Sequence, residues 1–305
     1  MLLDNKNVII YGAGGSIGGA VAKEFAREGA SVFLTGRNRE NLETVAKEIT
    51  AAGGSAEVAV VDALDEEAVE EHARAVADQA GSVDVSFNLV TRGDVQGIPL
   101  VEITTTDFVR PVTTGLTTTF ITARAAARRM VEQGSGVILA LDSGSAHGST
   151  RMMGGTGPAD AAIDALVRNL AAEIGPRGVR VLGIWTAGLP ETFSREKLAA
   201  VDGTLALDDV AYQGLVDSLD QMRMTRRSPR LEEVAATAAF LASEKAGAIT
   251  GTFVNVTSGM FSSEPRPGAK MADTEAVRHK MERRGVVLGR LMAPGASTTR
   301  KDEPS

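Results

Sequence analysis

Short apolar runs recur along the chain, each followed by a longer stretch in which apolar positions return every three or four residues. Asn7–Tyr11 precedes the helical pattern Ile17–Glu28, Ser31–Thr35 precedes Arg39–Ala52, and Ala56–Val61 precedes Glu66–Ala80. The rhythm continues through Val83–Asn88, a long helix ending near Glu132, Gly136–Leu141, a helix from about Ala159 to Ile174, Arg180–Trp185 and Phe253–Val256. Strands written as unbroken Val, Ile and Leu runs are covered on both faces, and helices between them make the connections parallel. The pattern predicts an α/β fold: a doubly wound parallel sheet in a single domain over residues 1–260.

Two segments leave this rhythm. Residues 191–228 are polar and helix-prone and are expected to form a helical, substrate-side insertion over the carboxyl edge of the sheet; its apolar residues Phe193, Leu198, Leu215, Met222 and Met224 suit a substrate wall. From residue 261 to 305 the chain turns to Glu-Pro-Arg-Pro-Gly, a charged stretch, then Gly, Pro, Ser and Thr, which predicts an extended or partly helical tail.

Composition narrows the function. At 43% hydrophobic the chain can bury a large core, and without a cysteine it has no disulfide, thiolate metal site or cysteine nucleophile. A net charge of -7 argues against a general nucleic-acid binder; Arg226, Arg227 and Arg230 form the compact basic group in the body of the chain. The absence of a bilayer-length apolar run or a signal pattern predicts a cytoplasmic protein that does not enter a membrane, and no His/Asp spacing suggests a metal.

The first strand runs into Gly12-Ala13-Gly14-Gly15-Ser16-Ile17-Gly18 at the start of a helix. Glycines there remove side chains, so a pyrophosphate can approach the backbone and the amides of the helix start. The second strand ends Thr35-Gly36-Arg37, with no carboxylate to hold a ribose 2′-hydroxyl and an arginine suited to a 2′-phosphate, which points to NADP(H) over NAD(H); the alternative is an ordinary surface arginine. Asp62 and Ala63 close the third strand, where a carboxylate suits the adenine amino group, and Asn88 closes the fourth.

These residues, with Asp84-Val85-Ser86-Phe87-Asn88, Leu141-Asp142-Ser143, Leu170–Val181 and Ile249–Val256, resemble the short-chain dehydrogenase/reductase family over roughly residues 6–260. The resemblance implies a Rossmann-type domain, a nicotinamide cofactor and a homodimer or homotetramer built on the helices near Thr106–Glu132 and Ala159–Ile174. It implies a catalytic Ser, Tyr and Lys with an upstream Asn. Ser143 matches the serine, but Thr156 stands at the tyrosine position, Asp160 at the lysine position and Gly115 at the asparagine position. Thr186-Ala187-Gly188-Leu189-Pro190-Glu191-Thr192 is similar to the cofactor-side loop of the enoyl-acyl-carrier-protein reductases, which places Gly188 and Thr192 against the cofactor; that subgroup's earlier tyrosine position is Met153.

Other residues must then handle the proton. His147, on the loop after Ser143, is a candidate acid, and Tyr212 in the insertion is another. Asp160 is expected in the first turn of its helix, either helping to start it or accepting hydrogen bonds from the nicotinamide ribose. Tyr11 reads as core, Asp142 as a strand-end residue without a role, and Ser149 and Thr150 as hydroxyls near the site mouth. The expectation is an NADP(H)-dependent oxidoreductase acting on a carbonyl or activated C=C in a small molecule with a non-standard proton donor. The alternatives are a non-redox enzyme (isomerase, cyclase or dehydratase) on the same fold, or an inactive NADP(H)-binding pseudoenzyme or scaffold.

Overall fold

The computed structural model describes residues 1–148, 151–193 and 208–260. Seven parallel strands form one sheet in the order β3-β2-β1-β4-β5-β6-β7. They are β1 (Asn7–Tyr11), β2 (Ser31–Gly36), β3 (Ser55–Val60), β4 (Val85–Asn88), β5 (Gly136–Asp142), β6 (Val179–Trp185) and β7 (Phe253–Asn255). The register pairs Ile9 with Phe33 on one side of β1 and with Ser86 on the other, so the strand order reverses between β1 and β4. Their carboxyl ends diverge there and leave the crevice in which this architecture binds ligands.

The helices are α1 (Ser16–Arg27), α2 (Arg39–Ala51), α3 (Glu66–Ala80), α4 (Thr105–Gln133), α5 (Thr156–Ile174), α6 (Asp209–Gln221) and α7 (Leu231–Ala242). The spacing of Leu42, Val45 and Ile49 puts one stripe of α2 on the sheet, and Val69, Ala73 and Val76 do the same for α3. Helices α1, α2 and α7 cover one face, around Phe25, Leu34 and Phe87; α3, α4 and α5 cover the other, around Ile9, Ile138 and Val167. A fully buried side chain such as Phe25 contributes about 1.5–3 kcal/mol. Asn38, Asp65 and Thr104 cap α2, α3 and α4 with their side-chain oxygens.

Several boundaries differ from the expectation. Val83 precedes β4 because its N–H bonds Gln133 Oε1 instead of a neighbouring strand. Helix α5 starts at Thr156, three residues before Ala159, since Pro158 is tolerated in a first helical turn. Asp160 therefore lies in the second turn, and its role in starting the helix falls away. Of the insertion, the structure describes the turn Pro190–Thr192 and α6; Leu198 lies outside the described residues, as do Ser149, Thr150 and the tail 261–305. Two of the basic group are ion-paired, Arg227 with Glu233 at 2.7 Å and Arg230 with Glu232 at 3.5 Å, while Arg226 bonds the neutral Gln221.

Candidate active site

The glycine loop is held by backbone bonds from Gly12 and Ala13 to Thr35 O. Gly12 has φ +80°, and a Cβ there would meet Leu89 O at 2.5 Å; a Cβ at Gly18 would meet Gly12 O at 2.2 Å. Loop, helix and the segment after β4 thus approach more closely than any side chain allows. Gly15 is the N-cap of helix α1, which has no capping side chain and no acidic residue in its first turn, unlike α2, α3 and α4. The positive end of its dipole faces the crevice, and this donor-rich start fits a pyrophosphate. Thr35 is committed to the fold through Ile10 O, while Arg37 is exposed and makes no ion pair with a described residue. Asp62 turns one oxygen back to Leu64 N, Ala63 is buried, and Asn88 spans Thr118 and Thr119 of α4 with its amide. Gly188 has φ +60°, and the Thr192 hydroxyl bonds Leu189 O.

Ser143 and Asp160 come together. Ser143, half-buried at the end of β5, donates from Oγ to Asp160 Oδ2 at 2.5 Å, and the Ser145 N–H donates to the same oxygen at 2.9 Å. The Ser145 hydroxyl lies 2.6 Å from Ser143 Oγ. The other carboxylate oxygen receives Arg92 Nη1 at 2.6 Å, while the rest of that guanidinium bonds Asp94. Asp160 is 0% exposed. The hydrogen bonds that ribose hydroxyls would give it are already supplied by Arg92, Ser143 and Ser145.

The other candidates lie apart from this pair. Thr156 is buried and its hydroxyl accepts from Gln96 Nε2 at 3.1 Å. His147 places Nε2 2.6 Å from Asp164 Oδ2 and packs with a 36° tilt against Trp185, whose indole N–H also reaches Asp164. Tyr11 is core as expected, with its hydroxyl unpartnered among the described residues; burial, then Glu70, raises its pKa. Tyr212 sits half-buried on α6.

Asp142, expected to be without a role, is 2% exposed beneath the pair. One oxygen accepts the Gly144 N–H at 2.8 Å and the other has no partner among the described residues. Burial, then the charges of Asp160 and Asp164, push its pKa up to about 9 against the pull of Gly144 and Arg92. It therefore carries a proton at neutral pH. An unfolded chain with a carboxyl near 3.8 has released that proton. The stability it contributes is full at low pH and is lost progressively as pH rises from about 4 to about 9. Asp142→Asn cannot lose the proton, so the melting temperature of the wild type is expected to fall relative to this variant between pH 5 and 9. Parallel melting curves across that range would refute the assignment.

Residues 12–261 match the family model described as Enoyl-(Acyl carrier protein) reductase. The chain belongs to the short-chain dehydrogenase/reductase family. It is 34% identical to L-rhamnose 1-dehydrogenase (NAD(P)(+)) of Azotobacter vinelandii over 86% of this chain and 98% of that one. It is 29% identical to 7alpha-hydroxysteroid dehydrogenase of Escherichia coli over 84% and 94% of the two chains. Among solved structures it superposes on an NAD+-bound xylitol dehydrogenase with a TM-score of 0.75 at 25% identity, covering 85% of this chain and 100% of that one. Members of this family are oxidoreductases that bind NAD(P)(H), and the Rossmann-type sheet agrees with that membership.

Sequence reasoning missed Arg92, Asp94 and Asp164. The signal was indirect: an aspartate at the lysine position of a buried helix face needs a cation from elsewhere, and Arg92 is the nearest one after Asn88.

Proposed function

We propose that the protein is an NADP(H)-dependent oxidoreductase that interconverts a secondary alcohol and a carbonyl in a small molecule, with Ser143 and Asp160 handling the proton. The observation that carries this reading is the hydroxyl of the half-buried Ser143, hydrogen-bonded at 2.5 Å to a carboxylate with no exposed surface. The nicotinamide, when bound, takes or returns the hydride at the substrate carbon.

In the oxidising direction the substrate hydroxyl proton passes to Ser143 Oγ as the Ser143 proton passes to Asp160 Oδ2. The C–H electron pair leaves as hydride and the carbonyl forms. The Ser145 hydroxyl steadies Ser143 Oγ throughout. Reduction runs the same path backwards, with Asp160 as the acid acting through Ser143. His147 and Thr156 are engaged by Asp164 and Gln96 and are assigned no proton transfer.

Gly12, Gly14, Gly15, Ser16, Ile17 and Gly18 would cradle the pyrophosphate, Asp62 and Ala63 the adenine, and Asn88, Gly188 and Thr192 the nicotinamide half. Arg37 would pair with the 2′-phosphate. A homodimer or homotetramer would cover the face of α4, where Val109 and Phe120 stand 40% and 45% exposed.

The test is calorimetric titration with NADPH and NADH, followed by an NADP+-linked screen of sugars, polyols and hydroxysteroids. A charge-assisted hydrogen bond is worth about 1.5–3 kcal/mol, so Arg37→Ala is expected to weaken NADPH about 10- to 100-fold and leave NADH unchanged. Equal losses for both cofactors would remove Arg37 from the phosphate site. Failure of the wild type to bind either cofactor would sink the oxidoreductase reading.

A further inference from the structure

Arg92 leaves the segment after β4 and reaches Asp160 by passing over α4 at Gly115. A Cβ at Gly115 would lie 2.5 Å from Arg92 Cδ and 3.1 Å from Cγ, so the path exists because position 115 has no side chain. The guanidinium is held at both ends, by Asp94 at 3.1 Å and by Asp160 at 2.6 Å. Its side chain is 12% exposed. Two departures from the family pattern, a glycine on α4 and an aspartate on α5, therefore form one spatial unit with an arginine after β4.

We propose that Arg92, admitted by Gly115, is a positioning residue that keeps Asp160 ionised and aimed at Ser143, and so sets the pH below which alcohol oxidation fails. This rests on the reading of Ser143 and Asp160 as the proton path. A carboxylate removed from water is costly unless a cation and hydrogen bonds replace its hydration. The other acidic groups around Asp160 are Asp164 one turn further along α5, Asp94 on the segment after β4, and Asp142 on β5, which is protonated at neutral pH. Arg168 and His147 approach Asp164, at 3.9 Å and 2.6 Å, and do not contact Asp160. Without Arg92 the carboxyl of Asp160 takes up a proton more readily, and a protonated Asp160 cannot accept the one that Ser143 must release. The acid limb of oxidation then moves to higher pH.

The Ser145 amide reports on this directly, because its N–H donates to Asp160 Oδ2. Its nitrogen and proton shifts are followed against pH by two-dimensional NMR of the uniformly labelled protein. Asp160→Asn should abolish the titration and so assign it. In Arg92→Gln the midpoint is expected to rise by about one pH unit or more, as for a carboxylate losing an adjacent cation. The acid limb of kcat/KM for oxidation should rise by the same amount, so that at a pH on that limb the variant retains about one tenth of the wild-type fraction of its own maximal rate. Gly115→Ala, which keeps the arginine but blocks its path, should repeat the shift, and Arg92→Lys should fall between. Gly115→Ala and Arg92→Lys carry the test if Arg92→Gln does not fold.

An unchanged Ser145 midpoint in folded Arg92→Gln and Gly115→Ala would overturn the proposal even if Ser143→Ala is inactive. The proton path is judged separately: wild-type turnover in Ser143→Ala would overturn that reading, and with it the role of Arg92 in oxidation, even where the Ser145 midpoint moves.

Discussion

Asp160→Asn is expected to lower kcat/KM for alcohol oxidation by about 10²- to 10⁴-fold, the range over which a positioned acid or base acts, and Ser143→Ala by a similar factor. The substitution at 160 is nearly isosteric, but one of its two terminal atoms becomes an NH2 that cannot accept from Arg92 or from Ser143 and Ser145, and the side chain can no longer accept a proton. Because Asp160 has no exposed surface and its hydrogen bonds come from Arg92, Ser143 and Ser145, NADPH affinity should stay within about threefold of wild type, below the tenfold that 1.4 kcal/mol represents. That split separates two roles for the same residue. An Asp160 that held the nicotinamide ribose would show its loss in the dissociation constant of the cofactor. His147→Gln is the comparison, since His147 contacts Asp164 and Trp185 and not the pair, and its turnover is expected to stay close to wild type. Steady-state kinetics and calorimetry on the three variants, with the best alcohol from the screen, check all of these. A Ser143→Ala variant as fast as wild type would end the account of the proton path.

The fold was legible because its strands are written as uninterrupted runs, such as Val8-Ile9-Ile10 and Val137-Ile138-Leu139, and its helices as three- and four-residue spacings. Ser143 and Asp160 could be singled out through the family resemblance, which sets a serine at the end of the fifth strand and a lysine where Asp160 stands. Their contact could not, because it joins residues 17 apart through a turn whose course depends on packing. Arg92 was less visible still. It lies in irregular chain, where no periodicity marks which side chains turn inward, and its partner is 68 residues away. Asp142 misled for a related reason. A carboxylate at a strand end is most often solvated, and what keeps this one protonated is first its burial and then the charges of Asp160 and Asp164 on α5.

Arg223→Ala is expected to cost about 3 kcal/mol of stability or more, and with it the cofactor. Arg223 directly follows Met222, the C-cap of α6, in the segment read from sequence as a substrate-side insertion, yet it is 1% exposed. Its guanidinium donates to Ala187 O and Gly188 O after β6, to Thr257 O after β7 and to Ser228 Oγ, so one side chain ties three connections to the carboxyl edge of the sheet. Burial lowers its pKa, with the nearby Asp220 opposing. Removing it strands several acceptors out of water and opens a cavity, each of which is costly. For a domain of this size the loss corresponds to a fall of about 6–12 °C in melting temperature. Arg223→Met fills the volume without donating, and Arg223→Lys offers one donor group in place of a fork, so recovery should rank Lys above Met and Met above Ala if hydrogen bonding dominates. Gly188 is held at φ +60° by these contacts, and it borders the place proposed for the nicotinamide. NADPH binding measured well below each variant's melting point should therefore weaken in the same order. Equal affinities in the folded variants would mean that Arg223 supports the fold alone and that the loop after β6 keeps its shape without it.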